Sequence, residues 1–184
     1  MNLPNRLTLL RLLLVPFLVL FFYLPYFRTP VGSILLVLFF LVMSLTDMLD
    51  GYLARTRSQV TSFGKFLDPV ADKILIISVI ILLVEEGRVA AWMAILIISR
   101  EFIVTGLRLI ASHAGVVISA ESFGKYKMFF QSLSICFLIL IADERFYFYE
   151  IGISLLAVSI VLSLYSAGQY LLKYGVRMEL IKAQ

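Results

Sequence analysis

Thiol and imidazole chemistry are almost missing from this chain: its 184 residues include one cysteine and one histidine. The cysteine, Cys136, sits inside an apolar run, which excludes a disulfide framework and a thiolate metal centre. His113 stands alone in a polar connection and carries no predicted role. Charge is scarce as well, at 15% of residues, against about 25% in ordinary soluble domains. Apolar residues fill the space, at 61% of the chain, with a mean hydropathy of +1.00. Apolar stretches of bilayer-spanning length recur along it. The sequence therefore predicts an all-α integral membrane protein with a single domain over 1–184.

Six transmembrane helices are predicted, near 7–27, 31–54, 66–85, 89–111, 124–142 and 147–171, after a short N-terminal interfacial segment from Asn2 to Thr8. Pro25 and Pro30 bracket the first turn, and Glu85-Glu86-Gly87-Arg88 forms the third. Arg6 and Arg11 precede an apolar run, as in a signal peptide, but no small-residue cleavage site follows, so this helix is expected to be retained. Trp92 and the cluster Phe146-Tyr147-Phe148-Tyr149 are expected at one membrane interface.

The 16 basic residues are distributed unevenly over this pattern. Arg28, Arg88 and Arg145 fall on one side and Arg100 falls mid-span, while all the others lie on the side of the N-terminus. That bias predicts both termini in the cytoplasm. The chain, without a transit peptide, suits a bacterial inner membrane. A net charge of +4 is modest, and no nucleic-acid partner is expected.

Against this apolar background, four aspartates stand out between residues 47 and 72. A carboxylate near the centre of a membrane helix costs roughly 2.5–3.5 kcal/mol on insertion scales, so four together need a counter-charge. Asp47 and Asp50 are three apart, and Asp68 and Asp72 are four apart, so each pair shares a helix face. The second helix runs toward the cytoplasm and the third leaves from it, which places both pairs at a common depth. Two such faces form an all-oxygen site suited to Mg²⁺ or Mn²⁺, with room for two ions, and such pairs serve displacement at phosphorus. Gly51, Ala54 and Gly64 leave space for a nucleotide to approach the backbone, or for helices to pack closely. Arg55 stands at the mouth, where a guanidinium can fork onto a phosphate. Pro69 removes a helical hydrogen bond, which predicts a loosened first turn around Asp68.

The order D-x₂-D-G-x₂-A-R-x₈-G-x₃-D-x₃-D, met at Asp47, Asp50, Gly51, Ala54, Arg55, Gly64, Asp68 and Asp72, resembles the signature of the CDP-alcohol phosphatidyltransferase family. The resemblance implies a six-helix membrane domain and a metal-dependent transfer from a CDP-linked lipid, with homodimers as the family's habit. It implies that Asp47, Asp50, Asp68 and Asp72 are metal ligands and that Asp72 is also the base. By the same resemblance Gly51, Arg55 and Thr61 hold the CDP headgroup, and Asn5 and Thr8 close over the nucleotide. Taking a proton from an attacking hydroxyl is chemistry that suits a carboxylate such as Asp72.

The fourth helix raises the question of the acceptor. Arg100 and Arg108 are eight residues apart, on one face and about 12 Å apart along the axis. A mid-membrane Arg100 needs an anion, supplied either by Glu101 and the aspartates or by a phosphorylated substrate. Lys125 and Lys127 complete the basic group. The stretches Ser99–Arg108, Asn2–Thr8 and Gly124–Lys127 resemble the phosphatidylglycerophosphate-forming branch of the family, although Met128 stands where that branch commonly has threonine. The resemblance thus implies CDP-diacylglycerol and glycerol 3-phosphate as substrates, with Arg100, Arg108 and Lys125 on the acceptor's phosphate. Cardiolipin synthesis and phosphatidylinositol-phosphate synthesis are alternatives within the family. A cation carrier is the non-enzymatic one.

Overall fold

The computed structural model describes the backbone of residues 3–56, 62–113, 122–140 and 145–182, and side chains over 6–46, 70–110, 126–140 and 147–172. The described residues form six α-helices and one 3₁₀ turn: α1 Leu3–Tyr23, the turn Pro25–Arg28, α2 Pro30–Thr56, α3 Ser62–Glu85, α4 Ala91–His113, α5 Ser122–Ile139 and α6 Arg145–Lys182. No strand occurs among them.

Number and order of helices follow the sequence reading, while several ends differ. The segment expected to lie apart along the interface is instead the beginning of α1, which runs unbroken from Leu3. Pro4 at the second position suits a helix start, where the missing N–H is not needed. Helix α3 begins at Ser62 rather than 66, so Pro69 lies about two turns inside it instead of in the first turn. Helix α6 continues to Lys182, well past the apolar stretch that marked its expected end at 171.

Among the described residues, two helices carry apolar stretches long enough to cross a bilayer, Arg6–Tyr23 and Tyr147–Leu172. Only 28% and 39% of these stretches are buried within the protein, which separates them from the core helices of a soluble fold. Shorter apolar stretches occupy Pro30–Thr46 and Tyr126–Ile139. Large apolar side chains also cover the outside, among them Leu13, Phe17, Val42, Ile95 and Val161. A surface as apolar as this is suited to lipid rather than water.

The core runs along the bundle axis, with Leu18, Phe40, Val79, Leu83, Ile97, Ile135 and Leu156 almost fully buried. Helix α1 packs on both α2 and α3, and α5 with α6 makes the most extensive pair. That pair is close enough that a Cβ on Gly152 would lie 2.8 Å from Leu138 Cγ. The Ser134 hydroxyl donates to the Gly152 carbonyl at 2.7 Å.

Helix connections at the Tyr23, Glu85 and Ile139 end are tightly built. Gly87, at φ +70°, ends α3: its N–H donates to Val84 O at 3.0 Å, and that of Arg88 to Leu83 O at 2.9 Å. This is the paired-bond helix stop that needs a left-handed residue. Gly32 lets the turn fold back over α2, since a Cβ there would meet Phe27 Cα at 2.6 Å. These closures set the lengths of α1 to α3, and so bring the aspartates to the opposite end.

Candidate active site

The last turns of α2 and the first turns of α3 carry the aspartates. Asp47 and Asp50 lie on α2, and Asp68 and Asp72 on α3. Helical backbone at both places keeps the three- and four-residue spacings on single faces. Gly51, Ala54 and Arg55 belong to the end of α2, and Gly64 is the third residue of α3. The side chains of these residues, apart from Asp72, fall outside the description, as does Thr61 altogether. Asn5 lies on α1 with its side chain likewise outside, and Lys125 on α5 in the same position.

Asp72 is half-buried. Its neighbour Lys73 donates from Nζ to the Thr105 hydroxyl on α4, and that hydroxyl donates onward to the Glu101 carbonyl at 2.6 Å. Lys73 therefore ties the aspartate-bearing helix to α4 immediately beside Asp72. The sequence reading counted it only as a charge, yet its place next to Asp72 was a usable signal.

Of the expected basic group, Arg100, Arg108 and Lys127 have described side chains, and Lys73 joins them. Arg108 and Arg100 both act electrostatically on Lys73. Arg100, Asp72 and Lys73 all act on Lys127. Lys73, Arg100, Arg108 and Lys127 thus form one electrostatic group, and Asp72 acts on its two lysines.

The individual cations are held very differently. Arg100 is buried, and the chain itself occupies much of its fork. Its Nε donates to Ser163 O at 3.0 Å, Nη2 to Ser166 Oγ at 3.3 Å and Nη1 to Glu101 Oε1 at 3.0 Å. The same Glu101 oxygen accepts from Lys127 Nζ. Glu101 is thus a shared counter-ion for two buried cations, which answers the need for an anion at Arg100 from within. Arg108 is exposed; its Nη2 donates to the Tyr170 hydroxyl at 2.8 Å, and its Cζ lies 5.1 Å from the centre of that ring. Tyr170, almost fully buried on α6, escaped the sequence reading because nothing in its apolar surroundings marks it.

Helix α1 contributes two more polar groups. Thr8 and Arg11, three residues apart on one face, are 0% and 1% exposed. Burying a guanidinium so completely is costly unless it is compensated, and Arg11 does have an interaction partner. Arg11 was missed at the sequence level because it was read as one more interfacial charge.

Aspartate carboxylates are hard oxygen donors, of a kind that suits Mg²⁺ or Mn²⁺ better than a softer metal. Compared with known protein families, residues 1–165 match the CDP-alcohol phosphatidyltransferase pattern. The chain belongs to the CDP-alcohol phosphatidyltransferase family.

Three relatives within this phosphatidyltransferase family carry the name CDP-diacylglycerol–glycerol-3-phosphate 3-phosphatidyltransferase. The protein from Bacillus subtilis (strain 168) is 42% identical over 148 residues, covering 76% of this chain and 77% of its own. That from Rickettsia bellii is 41% identical over 139 residues, with 76% and 75% covered. The Haemophilus influenzae protein is 38% identical over 175 residues and covers 92% of this chain and 91% of its own. The aspartate motif of this phosphatidyltransferase lies over the end of α2 and the start of α3.

Proposed function

We propose that this phosphatidyltransferase moves the phosphatidyl group of CDP-diacylglycerol to glycerol 3-phosphate, giving phosphatidylglycerophosphate and CMP. The observation that carries the reading is the basic group of α3, α4 and α5: Lys73 on Thr105, Arg100 and Lys127 on Glu101, and Arg108 on Tyr170, with Asp72 acting on both lysines. A choline acceptor has no anion to offer that charge and serine only one carboxylate, whereas a phosphate-bearing alcohol brings a dianionic group. The names of the three relatives agree with this choice.

In the proposed reaction the sn-1 hydroxyl of glycerol 3-phosphate approaches the β-phosphorus of CDP-diacylglycerol. Asp72 accepts the hydroxyl proton as the new oxygen–phosphorus bond forms. The bond from phosphorus to the CMP oxygen breaks, and CMP leaves with its electron pair. Asp47, Asp50, Asp68 and Asp72 would hold two Mg²⁺ or Mn²⁺ ions, which supply positive charge to the diphosphate. Gly51, Ala54 and Gly64 give the nucleotide room, and Arg55, Thr61, Asn5 and Thr8 bind it. Arg108 and Lys125 hold the acceptor's phosphate. Arg100 adds its charge there while its donors keep α4 docked on α6.

The same proposal places all six helices across the membrane, with both termini and the aspartate end in the cytoplasm of a bacterial cell. The active form is a homodimer.

Purified protein given CDP-diacylglycerol, Mg²⁺ or Mn²⁺ and one alcohol at a time tests the assignment by CMP release. Release with glycerol 3-phosphate is expected. Release only with phosphatidylglycerol, or only with inositol phosphate, would move the chain to another branch of its family. No release with any alcohol would remove the reaction itself.

A further inference from the structure

The end of the bundle away from the aspartates contains a cavity of about 590 Å³. It lies between the ends of α1, α3 and α5, the start of α6 and the Pro25–Arg28 turn. Asp72 and Glu85 are both on α3, thirteen residues apart, so this cavity is about 20 Å from the candidate active site along the helix. It is a separate site.

Its lining has two parts. Phe22, Leu82, Phe137 and Leu138 make an apolar floor, and Arg28, Glu85, Glu86 and Arg88 are also in the wall. Two of these charges are already matched. Arg88 donates from Nη1 to the Leu138 and Ile139 carbonyls at 2.6 and 3.0 Å, and its Nε pairs with Glu86 Oε2 at 2.9 Å. The other two are open. Among the described residues Glu85 Oε2 accepts only a neutral O–H, that of Tyr23 at 2.7 Å. Arg28 makes no hydrogen bond or ion pair among the described residues. Both charges act on the Tyr23 hydroxyl, so they flank one point of the rim.

One open cation and one open anion above an apolar floor define the ligand. A lone phosphate meets Glu85, and a lone ammonium meets Arg28, each with like-charge repulsion. A zwitterion satisfies both. Arg28 favours the phosphate, and the Glu85 carboxylate favours an ammonium able to donate N–H bonds, which a quaternary nitrogen cannot do. A water-soluble zwitterion has no use for the floor, whereas an acylated one buries methylenes there.

We propose that this cavity binds the headgroup of a zwitterionic phospholipid of the phosphoethanolamine type, with its phosphate at Arg28 and its ammonium at Glu85. The proposal rests on the chain being embedded in a bilayer and is independent of which alcohol the enzyme uses.

Native mass spectrometry of the purified full-length protein, titrated with phosphatidylethanolamine, phosphatidylcholine or phosphatidylglycerol of equal chain length, provides the test. Phosphatidylethanolamine is expected to be retained best. Arg28→Gln and Glu85→Gln should each weaken its retention by about tenfold, the size of one lost charge-assisted contact. Both variants should keep the parent's melting temperature and its CMP release in detergent. Equal retention of all three lipids, unchanged in both variants, overturns the proposal. So does a preference for phosphatidylglycerol that strengthens in Glu85→Gln, since that marks a pocket for anionic lipid. Absence of CMP release from the parent protein bears on the proposed reaction alone and leaves the lipid titration to be read by itself.

Discussion

Arg108 and Tyr170 are joined in two ways, by a 2.8 Å hydrogen bond from Nη2 to the phenol oxygen and by the guanidinium lying 5.1 Å from the ring centre. Tyr170 is buried on α6 while Arg108 is exposed on α4. The contact therefore aims an otherwise flexible cation. Tyr170→Phe keeps the ring and removes the hydrogen bond, and KM for glycerol 3-phosphate should rise by up to about tenfold. Steady-state kinetics should show kcat and the KM for CDP-diacylglycerol near their parent values. An unchanged KM for the acceptor would mean that Arg108 needs no help from the hydroxyl.

Glu101 serves two buried cations with one oxygen. Glu101→Ala leaves Arg100 and Lys127 without their carboxylate, a loss of about 3–5 kcal/mol for a broken buried pair. Thermal inactivation in detergent should occur well below the parent's temperature. Adding Lys127→Met, which removes one of the stranded charges, should recover part of the loss. Failure of the second change to recover any stability would indicate that Lys127 draws little from Glu101.

Asp72→Asn keeps the size of the side chain and removes its ability to take a proton. Turnover should fall by about 10²–10⁴, the range of general acid–base contributions. Retention of labelled CDP-diacylglycerol by the same variant should remain measurable. Substantial activity in this variant would transfer the role of base to another group.

Chelation should stop CMP release, and either Mg²⁺ or Mn²⁺ should restore it, because only hard oxygen donors are offered by the aspartate set. The readout is CMP formed before and after dialysis against a chelator, followed by titration with each metal. Activity that persists through exhaustive chelation would contradict the metal assignment.

Gly152 is packed against the side chain of Leu138. Gly152→Val should destabilise the α5–α6 pair by about 1–3 kcal/mol through overpacking. A melting temperature equal to the parent's would show that Leu138 yields without cost.

The sequence exposed the helices well because apolar runs and their polar breaks are strong signals. Helix ends were harder. Ser62 begins α3 although an apolar pattern appears only from 66, and α6 extends to Lys182 through residues too polar to mark a span. The aspartates were legible because carboxylates in such an apolar chain need a reason. Arg100 and Glu101 were legible as a possible pair, being adjacent. Tyr170 and Ser163 were not, because α4 meets α6 through contacts more than sixty residues apart in sequence. Residue type alone gives no hint of such pairings.

The Arg88 guanidinium grips the Leu138 and Ile139 carbonyls, at the point where α5 runs out of its own hydrogen-bond donors. One side chain thus staples the α3–α4 corner to the end of α5, next to the left-handed stop at Gly87. Where α5 ends is therefore decided as much by a side chain from the α3–α4 corner as by α5's own sequence.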